Sequence, residues 1–261
     1  MKGQLLERPL KTNMKYLIIN ADDFGLSAPV NEGIIKAFEA GGITNATLMV
    51  KRGSAGEAVR FAKNNPSLPL GLHLDLDDLL GGDKKNNERF NLDRIGAMLE
   101  EKSFLKTVES EIDGQINAFK ETGLELTHID GHHHLHAIPL IFHLLVEKMV
   151  DHGIKTVRLS QRFDLLKYPP IEWDDIFFKE MKELLKEKGL IFTDHFITGW
   201  QPYELQNMAH GVTELMVHPG IEEQWRIDEL TTLISEEWAD ALDKQGIVLT
   251  SFREIAQRKE A

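Results

Sequence analysis

Leu126-Thr127-His128-Ile129-Asp130-Gly131-His132-His133-His134-Leu135-His136 is the stretch from which the rest of the chain can be read. Apolar residues alternate with polar ones up to Asp130, the pattern of a strand with one face buried. Gly131 marks a turn, and four of the next five residues are histidines. Neutral imidazole offers a lone pair near neutral pH, which makes histidine the commonest side-chain metal ligand. A strand ending in such a cluster is a candidate metal site; packing, or donation to backbone carbonyls, is the plainer use for some of these rings. An extended backbone would put His132, His134 and His136 on one face with His133 opposed, and a helical one would align His132 with His136. In neither case do all four reach one ion. Asp130 stands either to orient a ligand imidazole or to serve the turn.

Outward from this strand, strand-like and helix-like stretches alternate. Toward the N-terminus lie strands at Tyr16–Asn20, Asn45–Val50 and Leu70–Leu74. A helix capped by Ser27, with Pro29 in its first turn and a Val30, Ile34, Phe38 stripe, separates the first two. A capping-box pattern at Ser54-Ala55-Gly56-Glu57 opens a helix that ends near Asn65-Pro66. Asp77 to Asn91 reads as a long loop, and a helix from near Ser103 carries Leu105, Val108, Ile112, Ile116 and Phe119 before Gly123 stops it. Toward the C-terminus, Pro139 opens a helix with Phe142, Leu145 and Met149 on its stripe, ended by Gly153. A strand at Thr156–Leu159, an irregular segment from Ser160 to Pro170 and a charged helix from about Glu172 to Lys188 follow. A strand at Thr213–Val217, a helix from about Asp228 to Lys244 and a strand at Ile247–Leu249 close the pattern. Repeated alternation of this kind predicts an α/β fold with a parallel sheet and helices outside. Polar residues stand where at least four of the strands end: Asp22-Asp23, His73, the cluster and His218. That dispersion favours a barrel over an open sheet, since both build their sites at strand carboxyl ends. The expectation is one domain over residues 15–261, preceded by an N-terminal extension, 1–14.

Composition sets bounds. The 261 residues carry a formal net charge of -12, which argues against nucleic acid or an anionic membrane as a partner bound through bulk charge. With no cysteine, disulfides and thiolate ligands are excluded, so a metal must sit on His, Asp or Glu. No apolar run is long enough to span a bilayer, and Met1–Asn13 lacks an apolar signal core. A cytoplasmic protein without membrane insertion is expected, and a small neutral or cationic substrate is compatible with this charge. Trp225 or Trp238 would serve a homodimer interface if exposed, although burial is the default for either.

Further residues carry chemistry. In Asn20-Ala21-Asp22-Asp23-Phe24-Gly25, two adjacent carboxylates past a strand can point apart, one to a metal and one to act as base. Taken alone they read more simply as acids favoured at a helix entry. His73 lies in the apolar strand Gly71-Leu72-His73-Leu74. His218 ends the strand of Glu214-Leu215-Met216-Val217-His218-Pro219-Gly220, fit for a general acid or for a buried structural role. Arg158, between Val157 and Leu159, needs an acidic partner or a ligand.

Together, Asn20–Ser27, Gly71–Leu74, His128–His136 and Met216–Gly220 resemble the motifs of the YdjC-like carbohydrate deacetylases, in order and over roughly residues 15 to 250. Thr193-Asp194-His195-Phe196 is similar to the branch with deacetylases of hopanoid biosynthesis; another branch includes chitooligosaccharide deacetylase. The resemblance implies a distorted or incomplete (β/α) barrel, TIM-like and NodB-like. It implies one divalent metal on Asp23, His73 and His132, with magnesium or zinc ahead of manganese or cobalt. It makes Asp22 the general base and His218 the general acid, and leaves Asp130, His134, His136 and Arg158 to substrate contact or support of the ligands. The implied reaction is removal of an N-acetyl group from an amino sugar or short acetylated oligosaccharide, releasing acetate. The alternatives are another metal-dependent hydrolase on the same barrel, a phosphoesterase or glycosidase, and a non-catalytic sugar- or metal-binding protein.

Overall fold

β1 (Lys15–Phe24) is the axis of this computed structural model, which describes residues 13–81, 92–160, 162–163, 171–172, 175–197, 205 and 207–260. Its Leu17-Ile18-Ile19 run is fully buried, as a parallel strand covered on both faces requires. Then come α1 (Ala28–Glu39), β2 (Asn45–Leu48), α2 (Ala55–Asn64), β3 (Leu70–Leu74), α3 (Asp77–Leu80), α4 (Leu92–Leu99), α5 (Lys102–Glu121) and β4 (Leu126–Gly131). A 3-10 turn over His132–Ala137 leads into α6 (Pro139–His152), and β5 (Arg162–Phe163), β6 (Ile171–Glu172), α7 (Asp175–Glu187) and β7 (His195–Ile197) follow. The chain continues with β8 (Gly211–Val217), α8 (Gln224–Leu233), α9 (Glu236–Lys244), β9 (Ile247–Leu249) and α10 (Phe252–Glu260).

The main sheet is parallel, in the order β4-β3-β2-β1-β8-β7. β8 lines one edge of β1 from Lys15 to Ala21, while the other edge is divided, β9 on Lys15–Leu17 and β2 on Asn20–Phe24. Beyond β4 the curl continues through single bridges. Ile129 N–H donates to Thr156 and Arg158 N–H to Ile129; Ile191 N–H donates to Lys155 and Val157 N–H to Ile191. The run from Ile191 leads to β7, which pairs with β8. The result is the expected α/β fold with a curled parallel sheet, held on one side by isolated bridges where the sequence predicts a strand at Thr156–Leu159. Among the described residues, no helix is long and apolar enough to cross a membrane.

Several expectations are corrected. The first strand runs four residues past Asn20, because β2 and β8 continue to pair with it. Ser54 makes no side-chain cap, its ψ of 7° departing from the extended backbone of a cap residue, and the Glu57 carboxylate is engaged elsewhere as the acceptor for Asn31 Nδ2 at 2.9 Å. The helix expected over 228–244 is two, restarted where Ser235 Oγ accepts from Trp238 N–H at 3.1 Å. Asp77–Leu80 is a helical turn rather than loop, with Gly81 after it; residues 82–91 of that expectation lie outside the described residues, as does the extension apart from Asn13 and Met14. Within the segment read as irregular, Arg162 and Phe163 pair antiparallel with Glu172 and Ile171. Of the two tryptophans, Trp238 is buried at 4% exposure and Trp225 is 48% exposed.

Candidate metal and catalytic site

β1 supplies two neighbouring carboxylates to one place, which an ordinary strand cannot do because successive side chains point to opposite faces. The register with β2 shifts between Ala21 and Phe24, and Asp23 takes φ +71°. This left-handed residue in a bulge turns Asp23 back toward the side of Asp22. Both are buried. Asp23 Oδ1 lies 3.4 Å from His73 Nε2 and 3.0 Å from His132 Nδ1. His73 comes from the end of β3 and His132 from the first position after β4, so the ends of β1, β3 and β4 converge across the intervening β2.

Each ring is backed on its far side. Asp130, the register partner of His73 on β4, meets His73 Nδ1 at 2.7 Å, leaving Nε2 toward Asp23. The other Asp130 oxygen accepts from Asn20 Nδ2 and Thr47 Oγ1, each at 3.2 Å, and pairs with Arg158 Nη2 at 2.9 Å. His132 Nε2 lies 3.7 Å from Asp77 Oδ2, and His133 Nδ1 meets Asp77 Oδ1 at 3.0 Å. Carboxylates behind ligand imidazoles fix ring orientation and tautomer.

The histidine cluster follows neither geometry read from sequence. His133 and His134 both have left-handed φ, +52° and +55°, so the chain coils tightly: the His132 and His133 rings lie together, centroids 3.9 Å apart, while His134 and His136 turn elsewhere. Only His132 reaches Asp23. His134 stands edge-on to Phe196 with centroids 5.7 Å apart. His136 is fully buried, and a Cβ on Gly131 would lie 2.7 Å from its Nδ1, so Gly131 makes room for this ring. Burial holds His134 well below the ordinary imidazole pKa and His136 down to about 3, with Arg158 adding to both, so these rings are neutral.

Arg158 is the electrostatic hub. Fully buried, it donates through Nη1 and Nη2 to the two oxygens of Asp22, both at 2.7 Å, and through Nε to Glu214 Oε1 at 2.8 Å, with Phe196 beneath it at 5.1 Å. Burial raises the Asp22 carboxyl, but Arg158 foremost, with His73 and His218, holds it far below the usual carboxylate range. Burial likewise opposes charge on Asp23, and His132 and His73 keep it well below that range. Burial disfavours a charged His73, while Asp130 and then Asp22 raise its pKa well above the ordinary value. One guanidinium thus faces three acids. Glu214, whose Oε2 has no hydrogen-bond partner among the described residues, is pushed up to about 7, by burial first and by Asp130 and Asp22 next, against the pull of Arg158.

Arg226 and Glu229 reach the site from outside the motifs. Arg226, on α8, is buried and donates from Nη2 to Asp23 Oδ2 at 2.6 Å and from Nη1 to the His218 carbonyl at 3.3 Å. Glu229 accepts the His218 N–H. His218 itself ends β8, half-buried, its ring 5.6 Å from that of Trp225. In the branch motif, Asp194 accepts Val212 N–H at 2.8 Å and Phe196 lies under Arg158.

Asp23 Oδ1 is buried yet accepts no hydrogen bond among the described residues, although two imidazole nitrogens flank it. An orphaned acceptor facing ring nitrogens is what a cation would satisfy, and one carboxylate with two imidazoles suits a divalent ion. Asp23, His73 and His132 offer ligand atoms within 4.8 Å of one another.

A family model described as YdjC-like protein matches residues 16–244. A "Carbohydrate deacetylase" of Clostridium beijerinckii is 30% identical, with 92% of this chain and 99% of that protein covered. A "Chitooligosaccharide deacetylase" of an Enterobacter species is 31% identical, with the same coverage. Among solved structures, an Enterococcus faecalis protein provisionally named for cellobiose-phosphate cleavage superposes with a TM-score of 0.72 at 24% identity, covering 93% of this chain and 99% of its own, a likeness of fold.

Proposed function

This chain belongs to the YdjC-like protein family, and from that premise we propose that it is a carbohydrate deacetylase. The reaction is metal-dependent hydrolysis of the N-acetyl amide of an amino sugar or short acetylated oligosaccharide, with release of acetate. The names of its relatives support the substrate class. The observation that carries the metal dependence is the orphaned Asp23 Oδ1 between His73 Nε2 and His132 Nδ1. Zinc, magnesium, manganese and cobalt all accept such a donor set.

Asp23, His73 and His132 would hold a divalent ion, which would supply Lewis-acid polarisation of the acetyl carbonyl and a water of lowered pKa, toward about 7. Asp22 takes the proton of the attacking water. Its low pKa makes it a weak base but keeps it ionised throughout the physiological range. Arg158 grips it bidentately and so sets the direction of its lone pairs. Asp130 positions His73, and Arg226 holds the outer oxygen of Asp23 so that Oδ1 faces the imidazoles. His218 protonates the leaving amine, which departs poorly as an amide anion. His134 and Phe196 line the Arg158 side, where substrate contact is assigned to His134.

The test is acetate release from a panel of N-acetylated amino sugars, with protein stripped and reloaded with single divalent metals. Release is expected to vanish in His132→Ala and to fall nearly as far in Asp22→Asn. Wild-type turnover in Asp22→Asn would remove it as base. Phosphate or reducing-end release without acetate would move the chain to another hydrolase class.

A further inference from the structure

We propose that Trp225 is a stacking platform for a sugar ring of the substrate, set beside the catalytic centre rather than in it; this rests on the deacetylase reading. Trp225 stands at the second position of α8 and is 48% exposed, while Trp238 is buried at 4%. A large aromatic left in water costs hydrophobic free energy and is informative when it stands at a site. The indole lies with its centroid 5.6 Å from the His218 ring, at 64° between the planes. On its other contact, the Arg226 guanidinium carbon sits 4.4 Å from the ring centre.

Arg226 is not a loose surface cation. It is buried, donates to Asp23 Oδ2 and to the His218 carbonyl, and pairs through Nε with Glu223 Oε2 at 2.7 Å. A cation fixed against an indole restrains its rotamer. Trp225 is thus an exposed aromatic surface pre-oriented by the residue that holds the metal ligand. Pre-organisation of this kind lowers the ordering cost of binding. The chemistry that recognises it is the apolar C–H face of a pyranose, which carries no charge and leaves its hydroxyls to water. Placement next to the proposed general acid seats a ring at or adjacent to the scissile N-acetyl group.

The test is steady-state kinetics and binding with N-acetylglucosamine and its dimer to tetramer, for wild type, Trp225→Phe and Trp225→Ala. Binding is read separately from turnover, by calorimetry with metal-loaded protein. Trp225→Ala is expected to weaken sugar binding and raise KM about tenfold, with kcat within twofold and metal affinity unchanged, and Trp225→Phe to restore most of the loss. Unchanged sugar affinity in Trp225→Ala overturns the proposal. So does a loss of metal affinity in step with the sugar, which would make Trp225 a support for Arg226. A change in oligomeric state in Trp225→Ala with sugar affinity intact overturns it in favour of a second copy. Wild-type sugar binding without acetate release would sink the deacetylase reading and leave the platform standing.

Discussion

Asp23 shows how much one residue can carry: a left-handed backbone, a buried carboxylate, and two oxygens with different partners. Its Oδ2 belongs to Arg226, and this pairing yields a prediction. Arg226→Ala leaves a buried carboxylate without its cation, and breaking a buried pair costs about 3–5 kcal/mol. Loss of a positive charge would by itself tighten binding of a metal ion, yet affinity is expected to fall roughly 10–100-fold, because the ligand is no longer held. Calorimetric titration beside denaturant unfolding separates the two effects, and tighter binding would reject the positioning role. Glu214 yields a second prediction. Its pKa rises from 4.5 to about 7 on folding, so the folded state binds its proton more tightly. The associated stability is complete below about 4.5 and is lost as pH climbs to about 7, a loss of about 3 kcal/mol. Glu214→Gln should flatten that part of the stability–pH profile. A profile unchanged by the substitution would place the titration elsewhere. Asp22, Asp23, His73 and His132 were legible because they stand at strand ends within motifs. Arg226 was not, since one arginine on a polar helix carries no pattern. Glu214 was open to reading, because it interrupts an apolar strand just as Arg158 does.

At the scale of elements, the strands were read more accurately than the joints between them. Apolar runs locate a buried parallel strand, and stripes locate helices such as α6, where Phe142, Leu145 and Met149 are buried as expected. The histidine turn was misread because its course depends on two consecutive left-handed residues, which composition does not signal. The Ser54 capping box fails because tertiary partners take both ends of its return bond: Ser54 N–H donates to the Gly25 carbonyl and the Glu57 carboxylate accepts from Asn31. Close approach between elements is likewise invisible in sequence. A Cβ on Gly33 of α1 would lie 2.4 Å from the Gly220 Cα, in the turn that follows His218. Both partners are backbone-bound and cannot yield easily. Gly33→Ala is therefore expected to cost about 1–3 kcal/mol and to lower kcat by shifting His218, with metal affinity kept. Denaturant midpoints and kinetics check this, and an unaffected variant would mean that α1 and the turn separate at little cost.

The whole molecule gathers its chemistry at one rim. Polar strand ends dispersed along the sequence foretold that convergence, and it is the reason a barrel could be chosen over an open sheet. The uneven closure, in which Thr156–Arg158 and Ile191 give bridges instead of full strands, left no trace in the apolar pattern. The proposed ligands stand at three strand ends, so an ion bound there would cross-link the sheet and stabilise only the folded state. At a metal concentration of 100 Kd the gain is about 2.7 kcal/mol. A thermal melt should rise with added divalent ion, return on chelation, and stay flat in His132→Ala. A metal-induced rise that persists in that variant would locate the binding elsewhere.

The divided edge of β1 also bears on how the chain comes to life on the ribosome. Lys15 meets Gly211 on one side and Ile247 on the other, so the innermost strand is translated early and acquires these neighbours late. Until then Leu17, Ile18 and Ile19 have no permanent cover, and such strands invite aggregation while they wait. The fold is consequently indivisible from that side: a nascent chain halted before β8 holds Asp22 and Asp23 on a strand that lacks two of its three partners.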